Sequence, residues 1–249
     1  MFVNQSSEIH FMNRNIFLIV ILFTISVGTG LYGINPEKLI DIYSNISERD
    51  TIKERQVLYK GIIWKNKYHR IQGDQFLFSD LFLPGSVTIN GKIFKNVRIK
   101  YDIFSDEIIT PVNSEVILQL NKEMVDSFTI SFEDKVYRFT NIRNDTLKNF
   151  TGYINLIYKG SSAFYVKYKK LISPSNTPKS DGYFIQNHMM YLMKDNIVYP
   201  IKGTKTLYKS LNADKKQIRN YIKKNKLKVS KKIPESFVPV IRYYDSIGQ

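Results

Sequence analysis

Three acidic residues that lie close together are the first candidates for chemistry. Asp102, Asp106 and Glu107 fall within a short stretch, and paired carboxylates can act in acid–base catalysis or bind calcium. The stretch lacks the Asp-x-Asp-x-Asp-Gly pattern of an EF-hand loop. Ser105-Asp106 is typical of a turn, and Asp102 shares a strand face with Lys100. The sequence therefore favours a charge pair beside a hairpin turn over a catalytic site.

Two histidines outside the N-terminal segment are the next candidates. His69 and His188 could belong to a Ser-His-Asp site, but no Gly-x-Ser-x-Gly elbow occurs and Gly160-Ser161-Ser162 is too general to indicate one. Both are interpreted as packing or surface residues. The chain has no Cys, three His and no phosphate-binding Gly-rich loop. We therefore expect no metal and no cofactor, and an enzyme is the less favoured interpretation.

A basic cluster near the C-terminus is the third candidate. Residues 202–232 hold 12 basic residues and one acidic residue, so most of the net charge of +15 lies there. The cluster centres on Lys215, Lys216, Arg219, Lys223, Lys224 and Lys226. Such a cluster can bind lipopolysaccharide, acidic polysaccharide or anionic lipid, and the alternative is a solvated helix face. Nucleic acid is the least favoured partner, because no binding module is recognised.

The N-terminal segment indicates export. Residues 16–27 are apolar apart from a Thr and a Ser, Arg14 precedes them, and Gly28-Thr29-Gly30 follows. This is the order of a signal peptide, with Met12 as an alternative start, and the run is shorter than the roughly 20 residues that span a bilayer. We expect residues 1–33 to be a signal peptide, the alternative being an uncleaved membrane anchor. The rest of the chain would then act in the periplasm or outer envelope, and the absence of Cys excludes a lipoprotein anchor.

The remaining chain predicts a mainly β protein. Residues 34–54 indicate a short helix and a linker. Residues 55–209 carry short apolar–polar runs separated by turn residues, which predicts an antiparallel sheet, a sandwich or a partly open barrel. Residues 173–179, with two prolines, predict a loop within it. Residues 210–249 predict a basic segment of two α-helices packed on the β domain.

The predicted helix caps and one hairpin can be placed more closely. Asn212 is expected to cap the first helix, which runs to Lys224, and Ser236 to cap the second. Asn90-Gly91 predicts a two-residue hairpin turn. That turn would put the apolar residues up to Phe94 on the opposite face of the sheet from Val97 and Ile99, so we expect a longer loop or a bulge near Lys95-Asn96 to bring them together.

Two blocks of sequence carry a resemblance. The first is VTINGKIFKNVRIKYDIFSDEI, at positions 87–108, and the second combines KTLYK at 205–209, KKQI at 215–218, IKKNKL at 222–227 and YYD at 243–245. Together they resemble a group of uncharacterised exported proteins common in Bacteroidota, over most of residues 55–247. The resemblance implies a signal peptide, a β-rich domain and two C-terminal helices. It carries over no functional residue.

These observations favour an exported, non-enzymatic, envelope-associated structural or binding protein whose ligand is unknown. One alternative is a secreted hydrolase whose site forms only in three dimensions. Another is an anionic-surface binder that acts through the basic segment. The expected partner is an anionic envelope component or another envelope protein.

Overall fold

Twelve β-strands form one sheet within residues 56–143, 150–177, 180–212 and 215–247, which are described by the computed structural model. In chain order they are β1 (Gly61–Ile63), β2 (Ile71–Gln72), β3 (Leu83–Ile89), β4 (Lys92–Asp102), β5 (Glu107–Pro111), β6 (Ile117–Leu120), β7 (Val125–Phe132), β8 (Lys135–Ile142), β9 (Gly152–Lys159), β10 (Ala163–Thr177), β11 (Ser180–Lys194) and β12 (Ile197–Ile201). The predicted signal peptide and the predicted helix of 34–54 lie outside the described residues. Among those residues, no helix is long and apolar enough to cross a membrane.

The spatial order of the strands gives an open sheet. It runs β1-β6-β5-β4-β3-β7-β8-β9-β10-β11-β12, with β2 added beside β11. All pairs are antiparallel except β2 with β11. Because β1 and β12 remain outer strands, the sheet does not close. The predicted fold class, a mainly β protein with an antiparallel sheet and C-terminal helices, is confirmed.

The hairpin of β3 and β4 contains both the predicted turn and the predicted bulge. Asn90 and Gly91 have φ angles of 49° and 78°, as a tight two-residue turn requires. Opposite Ser86, β4 inserts Lys95 and Asn96, and Asn96 has a φ of 55°. This extra residue shifts the alternation of β4, so the apolar residues on both sides of it are buried in the same core.

Pro174 and Pro200 are among the prolines that lie in strands, and the predicted loop at 173–179 is wrong over its first part. Strand β10 continues to Thr177, and Pro174 pairs with Gly182. The register turns the nitrogen of Pro174 away from β11, toward a side where, among the described residues, no strand pairs with β10 beyond Val166, so no ladder hydrogen bond is lost. Pro200 in the outer strand β12 is tolerated for the same reason.

Large aromatic side chains fill the centre of the core. Tyr101, Phe128, Phe139 and Tyr153 are all at most 1% exposed. Phe128 stacks on Phe139 with ring centroids 4.6 Å apart, and Tyr101 meets both rings edge-on at 5.2 Å. Burial of such rings stabilises the sheet, and their edge-to-face geometry adds about 0.5–1.5 kcal/mol per pair.

The described part of the chain after the sheet contains three α-helices, where two were predicted. They are α1 (Thr204–Leu211), α2 (Lys215–Lys224) and α3 (Val238–Ile247), and the short 3-10 turn Pro234–Phe237 leads into α3. Asn212 was predicted to begin a helix but ends α1, with a left-handed φ of 49° that Asn tolerates well. Ser236 was predicted as a cap but lies inside the 3-10 turn, because Pro234 already begins it.

The helices are held by packing and by one buried carboxylate. Ile218 of α2 is fully buried, and Tyr221 stacks on Tyr243 of α3 with centroids 3.9 Å apart. Asp245 of α3 is 6% exposed and accepts hydrogen bonds from the Ser162 hydroxyl and from Tyr158. This carboxylate therefore joins the last helix to the hairpin of β9 and β10.

Candidate functional site

A cleft of about 790 Å³ lies at the outer edge of β11, beside the end of β12. Strand β11 supplies residues 186–191, the end of β12 supplies 200–202, and the segment after α2 supplies Lys231 and Lys232. The cleft forms there because β12 is much shorter than β11 and leaves its edge at Met190. We call this space the β11 cleft.

The charged groups of the β11 cleft are all cations. Lys202, Lys231 and Lys232 line it, and no Asp or Glu occurs among its lining residues. Nε2 of His188 lies 2.7 Å from the main-chain oxygen of Lys231. A carbonyl oxygen can only accept, so this imidazole nitrogen donates and links the segment after α2 to β11. The arrangement suits an anionic ligand.

The six predicted binding residues lie outside this cleft. Five of them are on α2, Lys226 follows the helix with a φ of 51°, and all six side chains are exposed. Their role as a contact for anions stays a prediction. Lys202, Lys231 and Lys232 are not among the predicted contacts, although their charge is part of the basic segment. They stand at the two ends of the basic segment, and the fold brings both ends to one cleft.

The three clustered carboxylates have different surroundings. Asp102 accepts hydrogen bonds from the N–H groups of Phe104 and Ser105, and so stabilises the turn after β4. Burial raises the pKa of Asp102 despite these bonds. Asp106 occupies that turn with a φ of 62°, and Glu107 begins β5. The predicted turn is present, but Asp106 belongs to a larger polar cluster than a charge pair.

Asp106 is the centre of this polar cluster. Its Oδ1 lies 2.7 Å from Nζ of Lys167 and accepts the Tyr101 hydroxyl at 2.6 Å, and its Oδ2 lies 2.6 Å from Nζ of Lys122. Burial opposes ionisation, but the two ammonium groups outweigh it and lower the pKa of Asp106. Burial also raises the pKa of Tyr101 well above its usual value. The cluster therefore holds an ionised carboxylate between two cations and a neutral phenol.

Glu107 lies beside this cluster in a second cavity. The cavity has about 590 Å³ and is also lined by residues 60–62 and 119–124. Burial raises the pKa of Glu107 to about 7, although nearby Lys122 opposes the shift. Its Oε2 is buried without a hydrogen-bond partner. A carboxyl group with this pKa changes charge near neutral pH.

The histidines do not form a catalytic site with serine in the described residues. His69 is exposed before β2, and the hydrogen bond of the His188 ring goes to a main-chain oxygen. Ser162 bonds to a buried carboxylate, Asp245, without an imidazole in the group. Within the described ranges, no hydrogen bond joins either histidine to a serine. No group of three or more His, Asp or Glu that could hold a metal occurs in the part of the chain that the structure describes.

Comparisons with known proteins give no relative for this chain. No protein-family model, no curated protein and no solved structure matches it.

Proposed function

We propose that the protein is an exported, non-enzymatic binding protein of the cell envelope that holds an anionic ligand in the β11 cleft. The observation that carries this proposal is the meeting of both ends of the basic segment at one cleft. Lys202 reaches it from one side and Lys231 with Lys232 from the other, with no acidic residue in the lining. Export is supported by the apolar segment at 16–27.

The electrostatic setting supports an anion rather than a neutral ligand. Residues 202–232 carry a net charge of +11, whereas residues 34–201 carry +5 over a much longer stretch. The exposed cations of α2 add to the potential around the basic segment without touching a ligand in the cleft. Binding should therefore weaken as salt rises, because the Debye length falls from about 10 Å at 0.1 M to about 3 Å at 1 M.

The proposal is tested by charge reversal in the cleft. The triple variant Lys202→Glu, Lys231→Glu, Lys232→Glu is compared with wild type for binding to dextran sulfate and to anionic lipid vesicles. We expect the cleft variant to bind at least about tenfold more weakly. The matched control reverses Lys65, Lys67 and Lys135, which are exposed on the β domain. It changes the net charge equally and should keep most of the affinity.

A second variant tests whether α2 is the binding surface instead. Reversal of Lys215, Lys216, Lys223 and Lys224 should weaken binding less than the cleft variant, because these side chains do not line the cleft. If the α2 variant loses binding and the cleft variant keeps it, the ligand binds to α2 and not in the β11 cleft.

Export is tested separately. Cell fractionation and N-terminal sequencing should find the protein in the envelope fraction without its first 30 or so residues. Recovery of the intact chain in the cytosol would contradict an envelope function.

A further inference from the structure

The outer edge of β11 has a gap between two short neighbours. At one end β2 pairs with Gly182 and Tyr183, and at the other β12 pairs with β11 from Met190 onward. Among the described residues, no strand pairs with this edge at positions 184–189. Six residues of strand span roughly 20 Å. The gap is therefore long enough for a short extended segment, and the β11 cleft lies in it.

The register with β12 shows which main-chain groups face the gap. The two-residue turn at 195–196 makes every second residue of β11, ending with Met190, exchange hydrogen bonds with β12. Alternate residues of a strand present their N–H and C=O groups to the same side. Those of His188 and Gln186 therefore face the gap, whereas the N–H of Phe184 faces Gln72 of β2, the pairing partner of Tyr183. The groups that face the gap form a row of donors and acceptors with the spacing of a β ladder.

We propose that an extended acidic segment of a partner polypeptide adds to β11 across this gap as an extra strand. Its main chain pairs with Gln186 and His188, and its carboxylates lie against Lys202, Lys231 and Lys232. Strand addition supplies affinity through main-chain hydrogen bonds and selectivity through side chains. This inference rests on the proposed function, because the ligand occupies the same cleft.

The geometry favours a polypeptide over other polyanions. Lipid phosphates and sulfated sugars match the lysines, but they do not match a repeating row of main-chain donors and acceptors. An open strand edge is normally blunted, because it invites pairing with any exposed strand. The other outer strand of the sheet, β1, is only three residues long. The edge at 184–189 is longer, and Gln186 and Asn187 on it are exposed to solvent.

Lysines beside an open edge can also keep other copies of the chain away. This second role makes a different prediction. If the lysines only prevent strand pairing between copies of the chain, their removal should cause self-association and no peptide should bind. If they receive a partner, their removal should weaken peptide binding.

The experiment uses the full chain and a synthetic peptide of about six residues with alternating Glu and Val, blocked at both ends and labelled for fluorescence anisotropy. Two N-methylated versions carry the methyl groups on the Glu or on the Val nitrogens, so only one version blocks the edge that faces β11. We expect one version to bind about tenfold more weakly or worse, and the other to bind within about twofold of the parent peptide. The parent peptide should bind more weakly to the double variant Lys231→Glu, Lys232→Glu. Its affinity for the control variant Lys65→Glu, Lys67→Glu should be unchanged.

The outcomes separate this inference from the proposed function. If dextran sulfate binds in the cleft but the two methylated peptides bind equally, the anion site stands and strand addition is overturned. If neither probe depends on the cleft lysines, both proposals fail. If Lys231→Ala, Lys232→Ala makes the chain self-associate and the parent peptide does not bind, the lysines protect the edge and strand addition is again overturned.

Discussion

Two regions of the protein hold their cations in opposite ways. Lys122 and Lys167 lie at the Asp106 cluster, each within 2.7 Å of a carboxylate oxygen. Lys231 and Lys232 line the β11 cleft, where no acidic residue is present. A buried ion is costly unless it is paired, so interior charges are matched within the fold. Surface cations have no such requirement, and their accumulation at one cleft is the basis of the proposed anion site.

The largest effect should come from unpairing the interior charges. Asp106→Asn leaves the side chain of Lys167, which is 10% exposed, without its counterion. We expect a loss of about 3–5 kcal/mol in the free energy of unfolding, because breaking a buried pair leaves an uncompensated charge. Urea unfolding followed by circular dichroism measures it.

An exposed pair provides the matched control for that variant. Asp181 bonds to Arg70 with a similar distance of 2.8 Å, but both side chains are more than half exposed. Asp181→Asn should leave the unfolding midpoint almost unchanged, because water screens the pair. Equal losses in the two variants would contradict the distinction between a buried ion pair and an exposed one.

A glycine next to the cluster should give the next largest effect. Gly152 has a φ of 74°, and a Cβ there would collide with Oδ2 of Asp106 and approach Nζ of Lys167 to 2.9 Å. Gly152→Ala should therefore cost about 2–4 kcal/mol, since conformational strain and the clash add. Gly91 has a similar φ of 78° but nothing within 4 Å of a Cβ, so Gly91→Ala should cost only about 1–2 kcal/mol. Thermal unfolding measures the loss of stability in both variants. Equal losses would mean that the Asp106 cluster rearranges around the added methyl group at little cost.

The sequence predicted the local parts of the fold and missed those that depend on distant contacts. The turn at Asn90-Gly91 and the bulge at Lys95-Asn96 follow from the φ preferences of Asn and Gly and from the two-residue period of a strand. Helix α1 was missed because it is only eight residues long, with two buried leucines. So short a helix has little periodic pattern to detect.

The candidate sites were harder to predict for the same reason. Lys122 and Lys167 meet Asp106 only after β5 to β10 are placed in the sheet, and nothing in the spacing of these residues indicates the pairing. The open edge of β11 is a property of the register, because it arises from how far β12 reaches. The excess of positive charge at 202–232 was visible in the sequence, but which lysines line a cleft was not.

A smaller effect should appear in the pH dependence of the free energy of unfolding, through Glu107 beside the Asp106 cluster. Burial raises the pKa of Glu107 from 4.5 to about 7, so the folded state binds this proton more tightly than the unfolded state. The free energy of unfolding should therefore fall as pH rises from about 4.5 to 7. Glu107→Gln should remove this slope. At pH 8 it should stabilise the protein by roughly 1–2 kcal/mol, less than the full shift implies because the side chain is partly exposed.

The matching control is Glu115→Gln, at an exposed position before β6. Its unfolding free energy should follow that of wild type at every pH. Chemical unfolding at pH 4, 6 and 8 measures all three proteins. An unchanged slope in Glu107→Gln would show that its carboxyl group has the same pKa in the folded and unfolded states.

The smallest effects should come from single charges on α2, and they separate folding from binding. Lys215 lies in the first turn and Lys223 in the last turn of this helix. The helix dipole disfavours a cation at the start and favours one at the end, so Lys215→Glu should stabilise the protein and Lys223→Glu destabilise it, each by about 0.3–1 kcal/mol at low salt. Both variants change the surface charge equally, so both should weaken dextran sulfate binding by a similar small factor. Thermal unfolding and binding titrations on the two variants test this. If affinity instead rose in Lys215→Glu and fell in Lys223→Glu, binding would depend on the stability of the helix rather than on its positive charge.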